Sequence, residues 1–240
     1  NQPKGLGANN VNHFLDDGKG KMWLGTRGGG LVHFDRKNKT FFHYQNQPNN
    51  PLSLSDNVIH GLFEDHKAQL WISTAMGICR FNPDGTFTQI RARDGLSNDY
   101  VYGILEDQKG NFWMSTNKGI TRWDTKKKFR LYDLFDGLQS NEFNDGSYYH
   151  SLRTGELFFG GINGLTVFHP DSIRDNPIRP NIIISRLLYY SEGKNSSHLV
   201  EAKGIGEKKS ITLNHQQKTL VQVEFRSEER RVGKECRLTC

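Results

Sequence analysis

Three acidic steps recur along the chain at Asp16–Asp17, Glu64–Asp65 and Glu106–Asp107. Seen once, such a pair could serve as a general acid and base. Seen three times, it reads better as turn chemistry. Asp17 and Asp107 each stand three residues before a glycine, Gly20 or Gly110. The carboxylate there can accept turn N–H groups while glycine takes a positive φ. The pattern varies, with Ala68 at the glycine position of the second copy and Leu152 at the acid position of the fourth. The nine histidines show no metal-binding spacing, and three cysteines are too few and scattered for a disulfide framework or a zinc site. There is no G-x-S-x-G elbow, and the glycines of "RGGGL" at 27–31 follow one strand and open another, which suits a turn. The expectation is therefore no catalytic residue, no metal site and no cofactor.

The elements that carry these residues are written as a repeat. "MWLGTRGGGLVHF" from Met22, "LWISTAMGICRF" from Leu70 and "FWMSTNKGITRW" from Phe112 align on Trp23, Trp71 and Trp113, and Phe158 in "LFFGGINGL" marks a degenerate fourth copy. The spacings of 48, 42 and 45 residues are those of a four-stranded propeller blade. Each copy starts with an apolar pair three residues apart (Val11/Phe14, Ile59/Leu62, Val101/Ile104), then the acidic step, a turn and the Trp strand. A glycine turn and two more strands bearing aromatic residues complete it. The tryptophans are expected to fill the wedge between blades, each contributing roughly 2–3 kcal/mol by burial. Stacking on a cofactor is the weaker reading. Gly25, Ser73, Ser115 and Gly160 leave room for the adjoining sheet, and Cys79, aligned with Val32, Thr121 and Thr166, reads as a small packed side chain. The fold class is all-β: about four four-stranded blades, over 1–175, of a larger β-propeller ring. Such a fragment is expected to expose a sheet face.

Bulk properties agree. The 240 residues include 25 glycines and 35% hydrophobic residues, which suits a turn-rich β protein. No apolar run reaches the roughly 18 residues of a membrane helix. The net charge of +6 invites a nucleic-acid partner, but the last 15 residues alone carry +2 and the other cations sit singly among Asp and Asn. No nucleic-acid contact is expected. The chain begins at Asn1 without a leader and reads as a piece of something longer. After "GLTVFHP", Pro170, Pro177 and Pro180 mark a linker. Over 176–225 the linker leads into "NIIISRLLYY", a polar loop around Gly193–Gly206 and "ITLNHQQKTLVQVEF", read as the first strands of a truncated β-sandwich.

These residues resemble a family. The order of N, apolar pair, E-D, G, apolar-W-apolar-G-T, G-L and F, nearly complete over 57–81 and 98–123, is similar to the two-component regulator propeller repeat. "NPLSLSDNV" at 50–58 looks like that family's blade junction. The linker and following strands resemble the start of the triple-tyrosine immunoglobulin-like domain found after such propellers. The resemblance implies an extracytoplasmic, periplasmic sensor segment of a membrane-anchored, often hybrid, two-component histidine kinase. It further implies a receptor that dimerises, detects oligosaccharides or another small ligand, and regulates polysaccharide-use genes. Membrane contact would come only through other parts of the parent. A propeller lyase-type enzyme and a non-catalytic protein-docking propeller remain as alternatives. "RSEERRVGKEC" departs from the pattern, so 226–240 reads as a non-native tail resembling translated adapter DNA, expected to pack against nothing.

Candidate ligand residues follow from propeller geometry. The turns between second and third strands (Arg27, Asn117, Lys118, Asn163) should share a rim with the blade junctions (Asn57, Asn98, Asp99, Asn141). His60 and Tyr102 occupy one equivalent first-strand position and could line the central channel. Amide, guanidinium and aromatic groups together suit a hydroxyl-rich or anionic sugar. The competing reading is that the asparagines simply tolerate turn geometry.

Overall fold

A computed structural model describes residues 5–126, 128–174, 182–192, 197–201 and 221–227. The chain divides into two compact units between Ile173 and Arg174. In the first unit, β1 (Val11–Asp16), β2 (Lys21–Thr26), β3 (Leu31–Asp35) and β4 (Thr40–Tyr44) form one antiparallel sheet in sequence order. The second sheet is β5 (Ile59–Glu64), β6 (Leu70–Thr74), β7 (Gly77–Phe81) and β8 (Phe87–Ile90). The third repeats the plan with β9 (Val101–Glu106), β10 (Phe112–Thr116), β11 (Gly119–Trp123) and β12 (Phe129–Tyr132). Helical structure among the described residues is limited to three short 3-10 turns. This is an all-β partial propeller.

The fourth sheet corrects the expected strand count. It has three strands, β13 (Phe143–His150), β14 (Leu157–Gly161) and β15 (Gly164–Phe168). After Phe168 the chain enters a 3-10 turn at Pro170–Ser172, where the proline lacks the N–H that a paired outer strand needs.

The repeated tryptophans sit where the sequence requires. Trp23 is buried between blades 1 and 2 among Leu31, Leu54 and Phe87, with Tyr44 and Phe81 packed alongside. Trp71 joins Ile78, Phe112 and Trp123 between blades 2 and 3, and Trp113 joins Leu157, Phe159 and Phe168 between blades 3 and 4. The small residue two positions after each tryptophan is a packing requirement. A Cβ on Gly25 would come within 2.6 Å of Ile59 Cγ2 in the next blade. Cys79 packs as expected but also bonds: its Sγ lies 3.1 Å from Ser55 Oγ, and the Ser55 N–H donates to it at 3.3 Å. Thr121 holds Ser97 in the same way one blade later. These hydroxyl and thiol contacts tie each third strand to the junction that precedes its own blade.

The second unit contains one antiparallel sheet in the order β17–β16–β18, formed by β16 (Ile182–Glu192), β17 (Ser197–Glu201) and β18 (Val221–Ser227). The strand at 197–201 falls inside the segment read from sequence as a polar loop, where it pairs with Leu188–Glu192. The β18 ladder also runs past the expected end at 225, pairing Arg226 with Ile183 and Ser227 with Ile182. Those two residues therefore do pack in register, because any non-proline backbone can extend a ladder whatever its side-chain pattern. The linker at 175–181, most of the expected loop and the tail from 228 lie outside the described residues.

Candidate functional site

The acidic steps resolve into structural devices. Asp65 Oδ1 accepts from the N–H groups of Lys67 and Gln69 at 2.9 Å, while its Oδ2 accepts from Trp71 Nε1 at 2.9 Å. Asp107 repeats this with Lys109, Asn111 and Trp113 Nε1, each at 2.9 Å. Asp17 takes the turn N–H groups of Lys19 and Lys21, and in that blade His33 stacks on Trp23 at 3.9 Å with its Nε2 3.5 Å from Asp17 Oδ2. The acid and the tryptophan of the repeat are thus one unit: the carboxylate closes the turn and satisfies a buried indole N–H. Ala68 holds the glycine position at φ 57.

The opposite rim is assembled as the repeat predicts, with the 2–3 turns against the junctions. The Gly28 and Gly30 N–H groups donate to Asn57 O at 2.9 and 3.0 Å. Gly77 donates to Asp99 O at 2.6 Å and Gly119 to Asn141 O at 2.7 Å. The side chains of those three junction residues are occupied as well. Asn57 Oδ1 accepts from Asn46 N, Asp99 Oδ1 from Ala92 N and Asn141 Oδ1 from Leu134 N, at 2.7, 2.6 and 2.8 Å. Asn98 closes its own turn, accepting from Tyr100 N at 2.7 Å. All four hold the junction backbone through turn chemistry. Arg27, Lys118 and Asn163 are exposed, and the Asn163 N–H donates to Gln139 Oε1 at 2.9 Å.

His60 and Tyr102 share the equivalent inner-strand position but differ in access. The Tyr102 hydroxyl donates to Asn117 Oδ1 at 2.5 Å at the exposed edge of the rim. His60 is only 2% exposed, with Tyr100 and Tyr102 rings 4.6 and 5.8 Å away, so it does not line an open channel. What covers it comes from residues the sequence reading passed over. Asp145 of β13 places Oδ2 3.2 Å from His60 Nδ1, within ion-pair range, although the ring nitrogens have no partner in hydrogen-bond geometry. Tyr148 lies across the inner strands of blades 2 and 3, where a Cβ on Gly61 or Gly103 would overlap it.

The electrostatics of this cluster are set by burial and by acid. Burial pushes the Tyr148 phenol up to about 12, with the Asp145 charge adding to the effect. Tyr102 is raised by burial first, then by Tyr100, Glu142 and Asp145. Burial lowers His13, on the inner strand of blade 1, and Asp145 partly offsets this. Hydroxyls that stay protonated, next to an exposed carboxylate, provide both donors and acceptors for a polar ligand. A signal for the missed residues does exist: "NDGS" at 144–147 has no counterpart of that length in the other copies.

Comparison with known proteins follows the same lines. The chain is 30% identical to Histidine kinase P4 of Formosa agariphila over 81% of its length, and spans 18% of that kinase. It matches the extracellular domain of "the putative hybrid two component system BT3049" from B. thetaiotaomicron at 31% identity and a TM-score of 0.65, covering 79% of this chain and 25% of that one. A streptogramin B lyase structure aligns at 16% identity and a TM-score of 0.50, over 84% of this chain and 70% of that one, a likeness of fold alone. The two component regulator propeller family matches residues 5–28 and 95–118. The second match falls on the copy read at 98–123. The copy at 57–81, which carries Ala68, is not among the matched residues. With its turn, tryptophan strand and junction in place, each of the two matched segments is similar to the two-component regulator propeller repeat.

Proposed function

We propose that this chain is part of the extracytoplasmic ligand-sensing region of a membrane-anchored, hybrid two-component histidine kinase. The observation that carries this reading is the 31% identity and TM-score of 0.65 with an extracellular domain of such a system. The 30% identity to a histidine kinase supports it. The chain spans a minor part of both relatives, so phosphotransfer, dimerisation and gene regulation would belong to the parent receptor. The ligand we assign is an oligosaccharide in the periplasm, with polysaccharide-use genes as the output. The rim supports this with the Tyr102–Asn117 pair and the exposed Arg27, Lys118 and Asn163, polar groups fixed on a rigid scaffold.

The test has two parts. Calorimetry of the 240-residue chain against di- to tetrasaccharides should show saturable binding to one class of glycan. A transcriptional reporter driven by the parent receptor should then respond to that same class. A reporter that responds to amino acids or peptides and to no saccharide would replace the ligand class while leaving the sensor role standing. A parent receptor without phosphotransfer would overturn the sensor role itself.

A further inference from the structure

The inner strand of blade 4 is longer than its counterparts by two residues. Between the first paired position and the next common one, blades 1 to 3 hold two residues: Asn12–His13, His60–Gly61 and Tyr102–Gly103. Blade 4 holds four, Asn144–Ser147, between Phe143 (opposite Gly161) and Tyr148 (opposite Phe159). One-residue bulges are ordinary at propeller inner strands of this kind; the larger one re-aims a side chain. Gly146 makes the excursion possible at φ +66, and Asp145 is exposed beside it. The same excursion brings the Asp145 carboxylate over buried His60 of blade 2.

We propose that the insertion Asn144–Ser147, with His60 and the Tyr102–Asn117 pair, forms a subsite for an uncharged, hydroxyl-bearing sugar ring, with adjacent ring hydroxyls donating to the Asp145 carboxylate. This rests on the saccharide reading above and narrows it. An ionised carboxylate is an acceptor on both oxygens, so one oxygen can face His60 while the other takes ligand hydroxyls. His60 is the positioning residue. It is 2% exposed and lacks a hydrogen-bonded partner, a costly state that a small rotation of the Asp145 carboxylate would relieve. The Tyr102–Asn117 pair offers a hydroxyl and an amide at the exposed edge. The charges acting on the Tyr102 hydroxyl, Glu142 and Asp145, are both negative. A uronate or sulfated ring seated on the Asp145 carboxylate would meet like charge, which favours a neutral ring at this subsite, while Lys118 beside Asn117 leaves anionic groups open elsewhere on the rim.

The experiment titrates the full chain with neutral tetrasaccharides of glucose, xylose, mannose and galactose, and with tetragalacturonate. Variants are Asp145→Asn and a deletion of Asp145–Gly146 that restores the length of the other copies. A neutral probe should bind the wild type and should bind Asp145→Asn roughly tenfold or more weakly, the usual worth of a hydrogen bond to a charged group. The deletion should abolish binding, and the melting temperature of Asp145→Asn should stay that of the wild type, since the side chain is exposed. If both variants bind the neutral probe like wild type, the subsite is wrong and the saccharide reading survives. If tetragalacturonate binds more tightly than every neutral probe, and Asp145→Asn tightens it further, the ligand class is wrong. If no saccharide binds, the saccharide reading fails and this subsite falls with it.

Discussion

Phe14, Leu62 and Ile104 occupy one position in three successive blades, each opposite the middle of a Trp strand. Leu62 and Ile104 are 4% and 2% exposed, whereas Phe14 is 66% exposed. On the other side of the array, Leu31, Ile78 and Ile120 are fully buried at another shared position, and their blade 4 counterpart Leu165 is 49% exposed. The inner faces and the two terminal faces are thus built from equivalent residues with opposite fates. A propeller sheet has two apolar faces and cannot cover either one by itself. Each depends on a neighbour, so stability is largely a sum of blade-to-blade interfaces. Phe14 and Leu165 are exposed because neither has the neighbouring blade that covers its counterparts.

The comparison can be broken most directly at its interior. Ile104→Ala should destabilise the propeller by about 2–5 kcal/mol, as a truncation in a closed core, measured by denaturant unfolding. A cost below that of an exposed truncation would mean that the blade 2–3 interface is not packed as described. Next in size is Gly103→Ala, whose new Cβ would overlap the Tyr148 ring. Overpacking of this kind typically costs about 1–3 kcal/mol. Combining it with Tyr148→Ala should recover part of the loss, and a strictly additive double mutant would show that the two residues do not touch.

A smaller effect of opposite sign is expected at Ala68, the non-glycine member of the repeated turn at φ 57. Left-handed backbone costs an L-residue about 1–2 kcal/mol, and glycine recovers this less its own chain entropy of about 0.4–1 kcal/mol. Ala68→Gly should therefore raise the melting temperature modestly. The same change at an extended position would lower it. Smallest of all is Phe14→Ala, which should change the stability of this chain by no more than about 0.5 kcal/mol. In a chain that supplies a neighbouring blade, the same substitution should approach the cost at Ile104, and that contrast is the sharpest form of the comparison.

Much of this molecule is legible in its sequence because the repeat is a packing code. A 42- to 48-residue period, a tryptophan with a small residue two positions later and a carboxylate ahead of a turn each state a local requirement that recurs blade after blade. Repetition also separates structural acids from catalytic ones. It did not show that the acid and the tryptophan are bonded to each other, since their link crosses a turn and depends on side-chain direction. Of the ten candidate ligand residues, eight were chosen by rim position and two, His60 and Tyr102, by their place on the inner strand. Four of the rim residues are held by the junction backbone, because the side-chain amide or carboxylate oxygen that suits a sugar also suits a turn N–H.

By itself the sequence determined the fold class and the places of Trp23, Trp71 and Trp113. These follow from residue size and spacing along one strand, which are local quantities. Only the tertiary structure decided that blade 4 has three described strands, that His60 is covered rather than open, and that Asp145 reaches across to it. The physical reason is that each depends on the distance between residues of different blades. His60 and Asp145 stand 85 residues apart in the chain, and nothing in the periodicity of either strand says that a two-residue insertion in one will close over the other.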